Sequence, residues 1–216
     1  MINWQFFPKS RIIPEHLQNV LGVFELNESF VVALNGEWGV GKTHFWNKFI
    51  EENFTTEEER KNIAYVSLFG KDKLTDIESD IIMQVSRTAK IKGYLDNSIG
   101  SIGYAGFKVS NVLSLIPKVN FKNIVICFDD FERKSSKIDS KDILGLISQF
   151  KEQKNSKVIM IYNQTEIGDK EILSDYKDKV IDYELHYKPT VEESYQTVSK
   201  RLKVFNEYPL EYLKSK

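Results

Sequence analysis

Apolar, largely β-branched runs bounded by polar or turn residues recur at residues 30–34, 63–69, 124–128, 158–162 and about 180–185. Runs of this kind read as buried strands. Between them the period changes. Leu74, Ile77, Ile81, Ile82 and Val85 recur near the 3.6-residue period of a helix, expected over residues 74–90. Ile143, Leu144, Ile147 and Phe150 do the same over residues 141–154. Further helices are expected over residues 14–24, where Pro14 suits a first turn, and over residues 43–54. Strands alternating with helices predict an α/β fold, a parallel sheet with helices on both faces.

Residues 99–119 resist this reading. They are rich in Gly, Ser and aliphatics, and Gly100, Gly103 and Gly106 would line one side of a helix. A membrane span needs about 20 mostly apolar residues, but Lys108 and Asn111 interrupt this stretch and Pro117 stands near its end. A glycine-rich connector is expected, the alternative being a helical or loop insertion packed on its own domain, on a sister subunit or on a membrane surface. The chain has 216 residues, about one domain's length, with 41% hydrophobic and 28% charged residues, as in an ordinary globular protein. With 30 basic and 31 acidic residues the net charge is −1, so there is no strong signal for nucleic acid. Cys127 is the one cysteine, which rules out an intrachain disulfide and a cysteine-built zinc site. Residues 1–6 lack the basic flank and long apolar run of a signal peptide, and a cytoplasmic location is expected, with membrane association left open. His16, His44 and His186 are too scattered to suggest a metal cluster.

The strongest chemical signal is Gly36-Glu37-Trp38-Gly39-Val40-Gly41-Lys42-Thr43, which satisfies G-x-x-x-x-G-K-[ST] between an expected strand and an expected helix. Glycines let the backbone turn its N–H groups inward and let phosphate oxygens approach closely. The helix beginning near Thr43 adds the positive end of its dipole. Lys42 would reach the β and γ phosphates, and the Thr43 hydroxyl would be a ligand of Mg²⁺, a hard ion that prefers oxygen. His44 either reaches the α phosphate or sits at the surface. Trp38 either covers the phosphates or the base, or packs the loop against its own domain.

A second constellation is the apolar run that ends in Asp129-Asp130-Phe131-Glu132-Arg133. One aspartate at a strand end means little; two beyond a phosphate loop mean more. Arg133 is a candidate for a positive group acting on the γ phosphate, in its own site or across a subunit boundary, or else an ion-pair partner of Glu132 or Asp130. The stretch Asn163-Gln164-Thr165-Glu166 faintly approaches the N-K-x-D guanine motif. Gln164 lacks the lysine's charged stem and Glu166 is a methylene too long, so ATP is expected over GTP. Arginines at 11, 60, 87, 133 and 201 form no visible lid cluster, which argues against a kinase. No separate acidic and lysine constellation suggests a nuclease.

With these residues in hand, the chain resembles the KAP-type P-loop NTPases, an additional-strand ATPase group near the AAA+ and STAND ATPases. The resemblance is carried by the phosphate loop with its internal Trp38, by Tyr65-Val66-Ser67-Leu68-Phe69-Gly70, and by Phe128-Asp129-Asp130-Phe131-Glu132-Arg133, over about residues 28–190. It implies a three-layer P-loop NTPase fold with a parallel five-stranded sheet of order 5-1-4-3-2. Residues 28–189 would form the core, 1–27 an N-terminal helical extension, and 190–216 the start of a helical lid or tail in which Arg201 could act as a sensor.

The same resemblance assigns Asp129 to the magnesium ion and Asp130 to the attacking water as base. The family's second acid is often glutamate, so Asp130 implies slow turnover. Asn163 would sense the γ phosphate, the alternative being an asparagine that starts a turn. The implied activity is a nucleotide-dependent switch that binds and hydrolyses Mg·ATP, with self-association or an effector protein as partner. The alternative is a regulatory sensor module that holds ATP with little hydrolysis. Many such proteins are bacterial, and phage defence is among their implied roles.

Overall fold

β1 (Phe30–Asn35) and β4 (Lys157–Tyr162) pair in parallel at the middle of the sheet, and every residue of both is buried. The computed structural model describes residues 28–85, 121–122, 124–168, 170–192 and 194–195. The strands run β2-β3-β4-β1-β5, all parallel, which is the expected order 5-1-4-3-2 read from the other edge. Burial follows position in the sheet. β3 (Val125–Asp129) is buried throughout, whereas the edge strand β2 (Ile63–Ser67) alternates half-buried and buried residues and the edge strand β5 (Tyr183–His186) buries none fully.

Helices surround the sheet: α1 (Lys42–Asn53), α2 (Glu57–Arg60), α3 (Leu74–Val85), α4 (Ser140–Glu152) and α5 (Lys170–Val180), with a 3-10 turn at Phe131–Arg133. Ile77, Ile81 and Ile82 of α3 and Ile143, Leu144, Ile147 and Phe150 of α4 form one cluster with Val31, Ala33, Val66, Phe128 and Met160 of the sheet. Strand alternation therefore turns Phe30, Val32 and Leu34 to the opposite face. Phe45, Trp46 and Phe49 bury α1, with the Trp46 and Phe49 rings stacked at 5.7 Å between centroids.

The element boundaries differ from expectation in ways that have local causes. The second strand stops at Ser67 rather than residue 69, because Gly70 at φ +75° turns the chain and Phe69 instead bridges Lys134 in antiparallel fashion. The last strand begins at Tyr183 rather than near residue 180. Val180 ends α5, and the Asp182 carboxylate takes the Val31 N–H at 2.8 Å where a strand carbonyl would otherwise sit. The short α2, closed by a Thr56–Glu59 capping box, and α5 were not anticipated.

The chain divides into two compact units, residues 1–186 and 187–216. Among the described residues no helix is long and apolar enough to cross a membrane. The expected helix at 14–24, the end of the 74–90 helix, the 99–119 insertion, His16 and Arg201 lie outside the described residues.

Candidate functional site

The loop between β1 and α1 is wound by its glycines. Gly39 and Gly41 have φ +78° and +95°, values that a side chain would strain, and Gly41 stands at the start of α1. No side chain caps that helix, and an uncapped helix start following a glycine turn suits an anion. Gly36 N donates to Tyr162 O at 3.3 Å, which ties the loop to the end of β4. Lys42, 7% exposed, folds back and donates to the Gly36 and Glu37 carbonyls at 2.7 and 2.9 Å. Burial holds its pKa below the ordinary lysine value, partly offset by Glu132, Asp129 and Asp130. Glu37 and Thr43 are exposed, and Val40 and His44 are half-buried. Trp38 does not pack against the domain: it is 73% exposed, at the tip of the loop.

β3 delivers the acids to the same place. Asp129 is its last residue, and Thr43 Oγ1 donates to Asp129 Oδ2 at 2.7 Å. Asp130 adopts a left-handed conformation, φ +59°, a conformation aspartate tolerates better than most side chains. That turn takes the chain out of strand alternation, and Asp130 N donates to Asp129 Oδ1 at 2.7 Å. Both Asp130 carboxylate oxygens are engaged, Oδ2 by Ser67 Oγ at 2.6 Å and Oδ1 by Arg133 Nη1 at 3.3 Å. Of the two ion-pair partners open to Arg133, the structure has Asp130. The Arg133 guanidinium lies 4.0 Å from the Phe69 ring centroid and 6.0 Å from that of Trp38.

Asn163 follows β4 and is 3% exposed. Its Oδ1 accepts from Thr165 N at 3.1 Å and from Thr165 Oγ1 at 2.7 Å, so it does start a turn. Its side-chain NH₂ has no acceptor among the described residues. Asn163 N donates to Glu132 Oε2 at 3.1 Å, and the neighbouring Gln164 exchanges hydrogen bonds with Asn35 at 3.0 and 3.2 Å. The β4 exit is thereby fastened both to the acid loop and to the strand that feeds the phosphate loop. Burial raises the pKa of Glu132, against the pull of Lys42 and of hydrogen bonds.

Lys42, Thr43, Asp129, Asp130, Arg133 and Asn163 are thus joined in one network of hydrogen bonds and charges at the C-terminal ends of the strands, the end at which open α/β sheets bind ligands. His44 lies half-buried in the first turn of α1. Reasoning from the sequence named Tyr65, Ser67 and Glu132 only within longer motifs and gave none of them a role in the site. The signal available for the first two was a pair of hydroxyls at alternate positions of an apolar strand. Among the described residues no group of three or more His, Cys, Asp or Glu could hold a metal.

Fold and loop together define a class, the P-loop NTPases. Within it, residues 11–97 match the KAP family P-loop domain, so the resemblance read from the sequence holds over that stretch. None of the curated proteins matches the chain significantly. Among solved structures, the Aeropyrum pernix ORC2 protein in ADPNP–ADP complexes superposes with a TM-score of 0.51 at 17% identity, over 94% of this chain and 55% of that one. The chain therefore spans about half the length of that neighbour. The flagellar accessory protein FlaH of Methanocaldococcus jannaschii matches at 12% identity with a TM-score of 0.40, over 76% of this chain and 74% of that one.

Proposed function

We propose that the chain binds ATP with Mg²⁺ and hydrolyses it slowly, the state of the site acting as a switch. The observation that carries this reading is the 2.7 Å contact of Thr43 Oγ1 with Asp129 Oδ2, which joins the phosphate loop to the acidic strand end. One hydroxyl and one carboxylate suit Mg²⁺, which keeps several waters and takes the rest of its shell from phosphate oxygens. When bound, the ion would neutralise charge on the β and γ phosphates.

The remaining steps belong to side chains. Lys42 exchanges the Gly36 and Glu37 carbonyls for phosphate oxygens, and the N–H groups that begin α1 meet the same anion. Asn163 donates its NH₂ to the γ phosphate. A water oxygen bonds to the γ phosphorus, the bond to the bridging oxygen breaks with its electrons leaving on ADP, and the water proton passes to Asp130. Arg133 would exchange Asp130 for the γ phosphate. Trp38 would lie over the bound phosphates. The output passes to a second copy of the chain or to an effector protein. Phage defence, implied by the family resemblance, is the setting to test by challenging cells that carry wild type or Lys42→Ala.

Calorimetric titration with Mg·ATP and a steady-state phosphate assay test the reading. Lys42→Ala is expected to remove nucleotide binding and hydrolysis together. A wild type that binds no nucleotide, or hydrolysis unchanged in Lys42→Ala, would sink it. One observation favours a second reading, a sensor that holds ATP without turnover: Asp130 has both oxygens occupied. Single-turnover phosphate release decides between them, because release that collapses in Asp130→Asn requires that acid to act.

A further inference from the structure

β2 carries two hydroxyls on one face. Ala64 and Val66 are buried, at 0% and 1% exposure, whereas Tyr65 and Ser67, two residues apart, share the other side of the strand. Each hydroxyl meets a different acid of β3 and its exit. Tyr65 OH donates to Asp129 Oδ2 at 2.7 Å, and Ser67 Oγ donates to Asp130 Oδ2 at 2.6 Å. The parallel register explains why one is long and the other short. Tyr65 lies beside Cys127 and must reach two residues forward; Ser67 lies beside Asp129 and reaches one.

Tyr65 is itself held in place. As an edge strand, β2 has outward main-chain groups with no neighbouring strand. Gln84 of α3 takes that role for Tyr65: Tyr65 N donates to Gln84 Oε1 at 2.9 Å, and Gln84 Nε2 donates to Tyr65 O at 2.8 Å. Held between Gln84 and Asp129, the phenol keeps its O–H directed at that carboxylate. Asp129 consequently receives Thr43 and Tyr65 on Oδ2 and Asp130 N on Oδ1, which fixes its carboxylate plane.

We infer that β2 is the positioning strand of the site, Tyr65 setting the carboxylate that would hold the metal and Ser67 the carboxylate that would face the attacking water. Neither hydroxyl touches the nucleotide; each acts through one acid, and outer-shell partners of this kind orient the groups that do the work. The inference rests on the Mg·ATP reading above, and it makes the two hydroxyls separable in their effects.

The experiment is nucleotide binding by calorimetry across a Mg²⁺ series with a chelator arm, paired with turnover, for wild type, Tyr65→Phe, Ser67→Ala and Gln84→Ala. Tyr65→Phe is expected to raise the Mg²⁺ concentration for half-maximal nucleotide binding roughly tenfold and to leave binding in chelator unchanged. Ser67→Ala should keep the Mg²⁺ requirement within about twofold and lower turnover roughly tenfold. Gln84→Ala leaves both hydroxyls in place but unclamps Tyr65, so it should shift the Mg²⁺ requirement in the same direction by a smaller factor, and it carries the test if Tyr65→Phe does not fold. A wild-type Mg²⁺ requirement in Tyr65→Phe and Gln84→Ala, or a shift in Ser67→Ala as large as that in Tyr65→Phe, overturns the inference alone. A wild type that binds no nucleotide at any Mg²⁺ concentration overturns the ATP reading and the inference with it.

Discussion

Asn163 shows how one side chain can serve a turn and a site at once. Its Oδ1 is committed to Thr165, and its NH₂ is left buried with no acceptor among the described residues. In the ATP reading proposed above, that NH₂ donates to the γ phosphate. Asn163→Asp separates the two roles, since aspartate still accepts from Thr165 but places a carboxylate oxygen where the donor was. The fold should persist by circular dichroism while ATP turnover falls on the order of a hundredfold, the usual cost of one lost transition-state donor. Unchanged turnover would reduce Asn163 to a turn residue. The phosphate loop and the acid pair were legible because their chemistry demands particular residue types at fixed spacing in the chain. Tyr65, Ser67 and Glu132 were not, because their meaning lies in strand register and in loops brought together from 31 to 64 positions apart.

Among the elements, the central strands were readable to within a residue, and the edge strands were readable as strands but not in their bounds. β1 and β4 are buried on both faces, and unbroken apolar runs say so. β5 is partly exposed, its Tyr183-Glu184-Leu185-His186 sequence carries no such run, and its start depends on Asp182 bonding Val31. β4 also opens on a residue that no strand pattern predicts to be buried. Lys157 is 3% exposed, its ammonium 5.3 Å from the Phe30 ring centroid, and burial pushes its pKa down to about 8 from 10.5. Between those two values the unfolded chain holds a proton that the folded chain has released, so this residue's contribution to stability rises with pH. Below the lower value both states are charged and the penalty is constant. Unfolding by urea at about pH 7 and about pH 10 should therefore show the wild type gaining roughly 2–3 kcal/mol relative to Lys157→Met. A difference that does not change with pH would mean that burial does not displace this proton.

At the scale of the whole molecule, the site is made by the ends of four of the five strands: β1 through the phosphate loop, β2 through Tyr65 and Ser67, β3 through the acids and β4 through Asn163. No one of these loops can leave its place without breaking contacts to another. A ligand that needs all four strand ends in place binds the folded unit and not the unfolded chain, so binding should stabilise the 1–186 unit against global unfolding. Saturation at about 100 times Kd adds about 2.7 kcal/mol to the folded state. For a domain of this size each kcal/mol moves the midpoint by about 2–4 °C, so Mg·ATP should raise Tm by roughly 5–10 °C. In Lys42→Ala the rise should vanish, although the variant's own Tm need not fall, because the lysine's burial cost disappears together with its bonds to Gly36 and Glu37. Differential scanning calorimetry measures both. A wild-type midpoint indifferent to Mg·ATP would mean that the folded unit does not bind the nucleotide in preference to the unfolded chain, which overturns the ATP reading.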